Sequence, residues 1–166
     1  AIAFNEEANG HCWEKDDTDS NDWEWERKYE IDSLCYPLWL LHAYYEKTQD
    51  ARVFSAETKT AFRRILDTWK TEQRHDVDSS YYFRRVNCPP TDTLSNNGNG
   101  EPTAYTGMTW SGFRPSDDAC RYGYLVPSNM FASVVLGYLA EYAADKFHDE
   151  EMAQEALTLK KEIEMG

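Results

Sequence analysis

The sequence predicts an all-α fold made of helical hairpins from an (α/α)6 barrel, on three observations. Segments 29–47 and 129–147 are apolar or aromatic on nearly every face, as expected for helices that are covered on all sides. Each is followed by a short turn and a helix with a single apolar stripe. Each is preceded by a long, irregular and charged segment. A loop, an inner helix and an outer helix therefore repeat in this order along the chain. This is the pattern of a ring of helical hairpins whose loops lie at one end.

The first segment, residues 1–28, is predicted to be a loop that contains an acidic run at 16–22. This run does not fit a calcium-binding EF-hand loop. With Asp17 at the first position, Asp22 falls where glycine is required and Lys28 falls where a bidentate glutamate is required. We therefore predict a solvated acidic loop and no metal site.

The first hairpin is predicted to consist of helix 29–47 and a second helix from Ser55 to about Gln73. Pro37 is expected either to kink the first helix or to mark its first turn. Ser55 is a typical N-cap residue. Apolar side chains three and four residues apart indicate that the second helix buries one stripe, formed by Phe62, Ile65, Leu66 and Trp69.

The second hairpin follows a long irregular segment, 75–128, in which 81–86 is expected to form a short strand. Its inner helix is predicted at 129–147 with Ser128 as N-cap, and its outer helix begins after Asp149. The inward side chains of the outer helix are predicted to be Met152, Ala156, Leu159 and Ile163. Two hairpins are too few to close a ring.

The composition narrows the classes of function. The 166 residues carry a net charge of −13 with no basic stripe, which argues against a nucleic-acid partner. No run approaches the roughly 20 apolar residues of a membrane span. The four cysteines contain no CxxC pair, and free thiols are the simplest expectation, above all for Cys35 in its apolar run. The first residues show neither an initiator methionine nor a signal peptide, which indicates a fragment or a processed chain and leaves cytoplasmic and secreted locations undistinguished.

The two long loops both precede an inner helix, so their polar groups are expected to meet at one end of the barrel. Many carboxylates, a few guanidinium groups and indoles are the composition of a carbohydrate site, because charged groups bind hydroxyls and sugar rings stack on indoles. A like-charged neighbour should raise the pKa of one carboxyl group in the pair Asp117 and Asp118. The alternatives are a turn-forming pair for these aspartates and surface pairing with Glu26 and Glu30 for Arg27 and Lys28. For the aromatic residues, among them Trp13, Trp23 and Trp25, the alternative is core packing.

Four segments resemble glycoside hydrolase family 125, and the resemblance runs over nearly the whole chain. They are HCWEKDDTD, WERKYEIDSLCYPLWL, PTDTL and YTGMTWSGFRPSDDACRYGYLVPSNMFASVVLGYL. The resemblance implies a metal-independent exo-α-1,6-mannosidase that needs no cofactor and removes a terminal mannose with inversion. It implies that residues 1–166 are one part of a single (α/α)6 catalytic domain. The implied partner is a mannose-containing oligosaccharide or N-glycan.

The resemblance also implies roles for individual residues. The general acid belongs to the FRPSDD motif, where Asp118 is favoured over Asp117. The general base of the family comes from a later loop and is expected outside this chain, since the only carboxylates after Asp118 lie on the two closing helices. The residues expected to bind the terminal mannose are Arg114, Trp110, Arg27, Glu30 and Asp32. The alternative function is a glycan-binding or regulatory fragment that lacks the base and does not hydrolyse its ligand.

Overall fold

The computed structural model describes residues 2–166; Ala1, the first residue of the predicted loop and of the predicted domain, lies outside the described residues. Two strands, β1 (Ile2–Phe4) and β2 (Glu24–Arg27), pair antiparallel. The helices are α1 (Ile31–Thr48), α2 (Ala56–Glu72), α3 (His75–Asp78), α4 (Ser95–Gly98), α5 (Val126–Asp145) and α6 (Glu150–Met165), with single 3-10 turns at Ala51–Val53 and Pro90–Asp92. The predicted all-α class is confirmed, because the strands are short and peripheral.

The first hairpin consists of α1 and α2. The Ser55 hydroxyl accepts the N–H of Thr58 at 3.3 Å, which confirms the predicted N-cap. Helix α1 continues through Pro37, so the alternative that Pro37 marks its first turn is wrong. Leu38 and Cys35 face the core one turn apart.

The second hairpin consists of α5 and α6. Helix α5 begins at Val126, three residues before the predicted start, and Ser128 lies inside it. The prediction of Ser128 as N-cap is therefore wrong. Pro127 occupies the first turn, where its fixed φ and missing N–H are favourable, and this allows the helix to extend backwards. The carboxylate of Asp149 caps α6 as predicted, accepting the N–H of Met152 at 3.0 Å.

Two apolar clusters hold the structure together. In the larger one, α5 packs against both α1 and α6 and the stripe of α2 closes the interior. The predicted stripes of α2 and α6 are both buried in it. The smaller cluster lies under the irregular segment and contains Tyr29, Phe83, Leu94, Trp110 and Phe113. The irregular segment therefore has a core of its own, which fixes its backbone.

The inner helices are not covered on all sides in the described residues, in contrast to the prediction. Helix α1 exposes Tyr36, Trp39, Leu40 and Tyr44. Two hairpins give each inner helix neighbours on one flank only, so the opposite flank faces solvent.

Two local predictions are also wrong. Residues 1–28 are not entirely loop, because β1 and β2 pair, and the N–H of Trp13 donates to the carbonyl of Trp25 at 2.8 Å. No strand forms at 81–86. Arg84 makes one isolated bridge with Asp17, and a single bridge does not continue into a ladder.

Two further findings concern the chemistry of the chain. All four cysteines are free thiols, and Cys35 is buried. No helix in the described part of the chain is both long and apolar enough to cross a membrane.

Replacement of Asp149 by alanine should lower the free energy of unfolding by about 1 kcal/mol, the usual value of an N-cap. The hydrogen bond from Met152 and the ammonium group of Lys59, 2.9 Å away, lower the pKa of Asp149. A carboxyl group with a lower pKa in the folded state stabilises the fold above its unfolded pKa and loses this effect as the pH falls through the folded pKa.

Urea unfolding at pH 7 and pH 3 measures both effects. The loss should be largest at pH 7 and should shrink at pH 3. Asp149→Asn, which keeps an oxygen acceptor but does not titrate, is the control. Equal stability of wild type and Asp149→Ala at pH 7 would contradict the assignment of the cap.

Candidate active site

A small hairpin, residues 112–120, carries the adjacent carboxylates Asp117 and Asp118. We call it the carboxylate hairpin. The N–H of Arg114 donates to the carbonyl of Asp118 at 2.9 Å, and the N–H of Asp117 donates to the carbonyl of Arg114 at 2.8 Å. Pro115 occupies the second position of this turn, where its fixed φ is favourable. Asp117 has a left-handed backbone with φ 69°, a conformation that favours glycine.

The carboxylate hairpin is fixed to the segment that begins α1. The N–H of Phe113 donates to the carbonyl of Tyr29 at 3.0 Å. The buried hydroxyl of Ser111 accepts the N–H of Ile31 at 3.2 Å and donates to the carbonyl of Phe113 at 2.8 Å. The loop before α1 and the loop before α5, which were expected to converge, therefore meet at the N-terminal end of α1.

Asp118 lies between two hydrogen-bond donors. Its Oδ2 accepts from Nη2 of Arg114 and from the hydroxyl of Ser116, both at 2.8 Å. The hydrogen bond from Ser116, helped by the charge of Arg114, lowers the pKa of Asp118. The expectation of a raised pKa is wrong for Asp118, because its closest partners are a hydroxyl and a cation rather than the neighbouring carboxylate.

Cys120 ends the same hairpin and is half-buried. Burial raises the pKa of the Cys120 thiol to about 11, and the charges of Glu30 and Asp32 add to this effect while Arg114 opposes it. These groups are therefore within electrostatic reach of one thiol. Three predicted site residues, Arg114, Glu30 and Asp32, therefore lie near one another, and Asp118 is paired with Arg114.

Glu30 and Asp32 are both buried at the start of α1. Glu30 precedes the helix, and its Oε2 accepts the hydroxyl of Ser33 at 3.0 Å. Asp32 lies in the first turn, where the helix dipole favours negative charge. Its Oδ1 is enclosed and accepts no hydrogen bond from residues 2–166. Two carboxylates at this end supply acceptors of the kind that bind sugar hydroxyls.

The site consists of carboxylates, a guanidinium group and hydroxyls. Within residues 2–166, no group of three or more His, Cys, Asp or Glu side chains is arranged to hold a metal ion. A family model described as metal-independent alpha-mannosidase (GH125) matches residues 1–166. The chain belongs to glycoside hydrolase family 125. The resemblance identified from the sequence motifs is thereby confirmed.

A solved structure and a curated protein show the same relationship. A metal-independent alpha-mannosidase from Streptococcus pneumoniae, solved in a non-productive complex with α-1,6-mannobiose, is 47% identical with a TM-score of 0.93 over 98% of this chain. The meiotically up-regulated gene 157 protein of Schizosaccharomyces pombe is 32% identical over 150 residues, 85% of this chain. The chain spans 38% of the former protein and 29% of the latter. The predicted α/α-barrel class is confirmed, with this family 125 chain forming part of the barrel.

Trp110 does not offer a face to a sugar in this family 125 chain. Its side chain is 1% exposed, and its ring stacks on His75 with centroids 3.6 Å apart and on Tyr29 at 6.1 Å. At Gly123, which has a φ of 73°, an added Cβ would lie 2.6 Å from the indole. Core packing, the alternative interpretation, describes Trp110, which supports the carboxylate hairpin from below.

Arg27 makes its described contacts with residues other than Asp118. It ends strand β2, donates to the carbonyl of Asp19, and its guanidinium group lies 5.6 Å from the centre of the Tyr81 ring. Together with Arg64 it lines a separate groove beside α2. No described contact joins Arg27 to the other predicted site residues.

Two cations next to the site were missed as site residues by the sequence analysis. Lys28 is buried, although surface pairing was one interpretation of it. The side chain of Arg85 is only 8% exposed and pairs with Asp16, Glu26 and Asp92. Their partners are 59 to 69 residues away in most cases, so no local spacing could identify them.

Proposed function

We propose that the native polypeptide that carries these residues is an exo-α-1,6-mannosidase that releases terminal mannose with inversion. The observation that carries the proposal is the carboxylate hairpin, which pairs Asp118 with Arg114 and is hydrogen-bonded to the start of α1, where Glu30 and Asp32 are buried. The α-1,6-mannobiose bound to the Streptococcus pneumoniae relative supports the choice of sugar and linkage.

In the proposed mechanism, Asp118 donates a proton to the glycosidic oxygen as the bond to the mannose breaks. Glu30 and Asp32 accept hydrogen bonds from the sugar hydroxyls, and Arg114 donates to them. The pKa of Asp118 is lowered in the free chain, so it has to rise when a sugar covers the carboxyl group and draws Arg114 away. Partial burial of the Asp118 carboxyl group by the substrate also raises its pKa.

Inversion requires a second carboxylate about 6.5–9.5 Å from the acid, with a water between it and the sugar. Asp117 is adjacent in sequence and its main chain closes the same turn, so we assign it a structural role. The remaining carboxylates after Asp118 lie on α5 and α6 or flank these helices. We therefore propose that the base comes from outside these residues.

The alternative is a glycan-binding segment without hydrolysis, and one observation favours it. The lowered pKa keeps Asp118 ionised in the free chain, which suits a hydrogen-bond acceptor better than a proton donor. A mannose-containing oligosaccharide or N-glycan is the proposed partner in both cases.

Incubation of the native polypeptide with α-1,6-mannobiose, followed by proton NMR, tests the proposal. Because inversion converts an α-linkage into a β-product, β-mannose should appear first and then mutarotate. Initial release of α-mannose would contradict inversion. Calorimetric binding of mannobiose without release of mannose would support the alternative, and α-1,6-linked glucobiose is the matched control sugar.

A further inference from the structure

Lys28 lies beneath the carboxylate hairpin, and its side chain is 1% exposed. Its Nζ donates to the backbone carbonyl of Asp117 at 3.0 Å and forms an ion pair with Asp92. It also lies 5.1 Å from the centre of the Phe113 ring. An ammonium group has three N–H donors, so one cation can satisfy several acceptors. Lys28 therefore links the segment before α1 to the turn that precedes Asp118.

The backbone of Asp117 needs such a link. Its left-handed φ of 69° occurs at the end of a turn where glycine is preferred. A residue in this conformation persists only where its surroundings hold it. The carbonyl oxygen of Asp117 and the N–H of Asp118 belong to one planar peptide unit. A hydrogen bond that fixes this oxygen therefore fixes the plane from which the Asp118 side chain begins.

We propose that Lys28 is a positioning residue for the glycosidase reaction, which fixes the Asp117–Asp118 peptide plane and so orients the Asp118 carboxyl group for proton transfer. This inference rests on the proposed function. Lys28 itself does not touch the sugar. Its ammonium group acts through the backbone of Asp117.

Asp92 and Arg85 keep Lys28 in place. A buried ammonium group is costly unless it is paired with an opposite charge. Asp92 supplies that charge, and its other oxygen accepts from Nη1 of Arg85 at 3.0 Å. Lys28, Asp92 and Arg85 thus form a chain of alternating charges that ends at the Asp117 carbonyl.

The first test replaces Lys28 by methionine in the native polypeptide, which keeps most of the apolar stem and removes the donor. We expect kcat for α-1,6-mannobiose to fall about 10- to 100-fold, as when a reacting group is displaced by roughly 1 Å. KM should change by less than about threefold, because Lys28 does not bind the sugar. Lys161→Met, on an exposed part of α6, is the matched loss of one positive charge and should leave kcat unchanged.

A second readout separates positioning from general destabilisation. A hydrogen bond from Ser116 and the charge of Arg114 lower the pKa of Asp118. If Lys28 positions the turn, Lys28→Met should loosen the hydrogen bonds that Asp118 accepts from Ser116 and Arg114. The pKa of Asp118, measured by a carbon-detected NMR titration, should then rise. Wild-type kcat together with an unchanged Asp118 titration in Lys28→Met would overturn the proposal.

Two measurements cover the case in which Lys28→Met does not fold. The double variant Lys28→Met/Asp92→Asn removes the cation with its counter-charge, and full kcat in that variant would also overturn the proposal. In the wild type, NMR should detect a scalar coupling across the hydrogen bond between Lys28 Nζ and the Asp117 carbonyl carbon. Its absence would count against the proposal. If the wild type does not hydrolyse mannosides, the proposed function fails, whereas the coupling and the titration still decide whether Lys28 positions Asp118.

Discussion

Asp118→Asn is expected to lower kcat for α-1,6-mannobiose by about 10²- to 10⁴-fold, the range that a positioned general acid contributes. Asparagine has the same shape and still accepts hydrogen bonds from Arg114 and Ser116, but it has no proton to give to the leaving oxygen. The loss should therefore appear in kcat with little change in KM. Steady-state kinetics of the native polypeptide measure both constants.

The leaving group provides a sharper version of this test. A dinitrophenyl mannoside needs little protonation of its leaving oxygen, so Asp118→Asn should lose much less activity on it than on mannobiose. Asp117→Asn is the matched control and should lose no more than a few-fold, because the backbone of Asp117, not its carboxyl group, closes the turn. A large loss in Asp117→Asn with full activity in Asp118→Asn would reverse the assignment of the acid.

Arg85→Met is expected to lower the free energy of unfolding by about 3–5 kcal/mol, the usual cost of breaking a buried ion pair from one side. The Arg85 side chain is 8% exposed, and its Nε and Nη2 each lie 2.7 Å from a carboxylate oxygen of Asp16. Nη2 also donates to Glu26 at 2.7 Å. Methionine fills part of the space but leaves these carboxylates facing one another without a cation.

Arg52→Met is the matched control, because Arg52 also pairs with an aspartate, Asp50, at 2.7 Å. The side chain of Arg52 is 90% exposed, and exposed ion pairs contribute little to stability. Urea unfolding at pH 7 should separate the two variants clearly. Added salt should change the stability of the Arg85 pair less than that of the Arg52 pair, since buried charges are screened less. Equal losses in the two variants would show that burial of Arg85 carries no extra stabilisation.

The helices could be predicted because their signals are local. Ser55 and Asp149 cap helices whose apolar residues recur at three and four positions, and these features depend on neighbours within one or two turns. The start of α5 was misplaced because Pro127 and Ser128 both give N-terminal signals, and only the packing of the helix decides between them. The strands β1 and β2 are too short to show an alternating pattern.

The candidate site could be predicted only in part. The loop around Asp118 and the start of α1 could be singled out because charged residues before buried helices form a recognisable pattern, while the role of each residue was implied only by the resemblance to family 125. Trp110 was misassigned because an indole that packs in a core and one that stacks on a sugar have the same composition and spacing. Lys28 and Arg85 were missed because their roles depend on partners that are distant in sequence.

The carboxylate hairpin is attached to the rest of the chain by contacts that are distant in sequence. The bonds from Lys28 to Asp117 and from Ile31 to Ser111 join residues 89 and 80 positions apart. The N–H of Trp110 donates to the carbonyl of Glu72, at the end of α2. Closing contacts of such long sequence separation costs chain entropy, which local interactions cannot offset. The carboxylates are therefore held in place by distant parts of the chain, and a change that loosens those parts is expected to displace them.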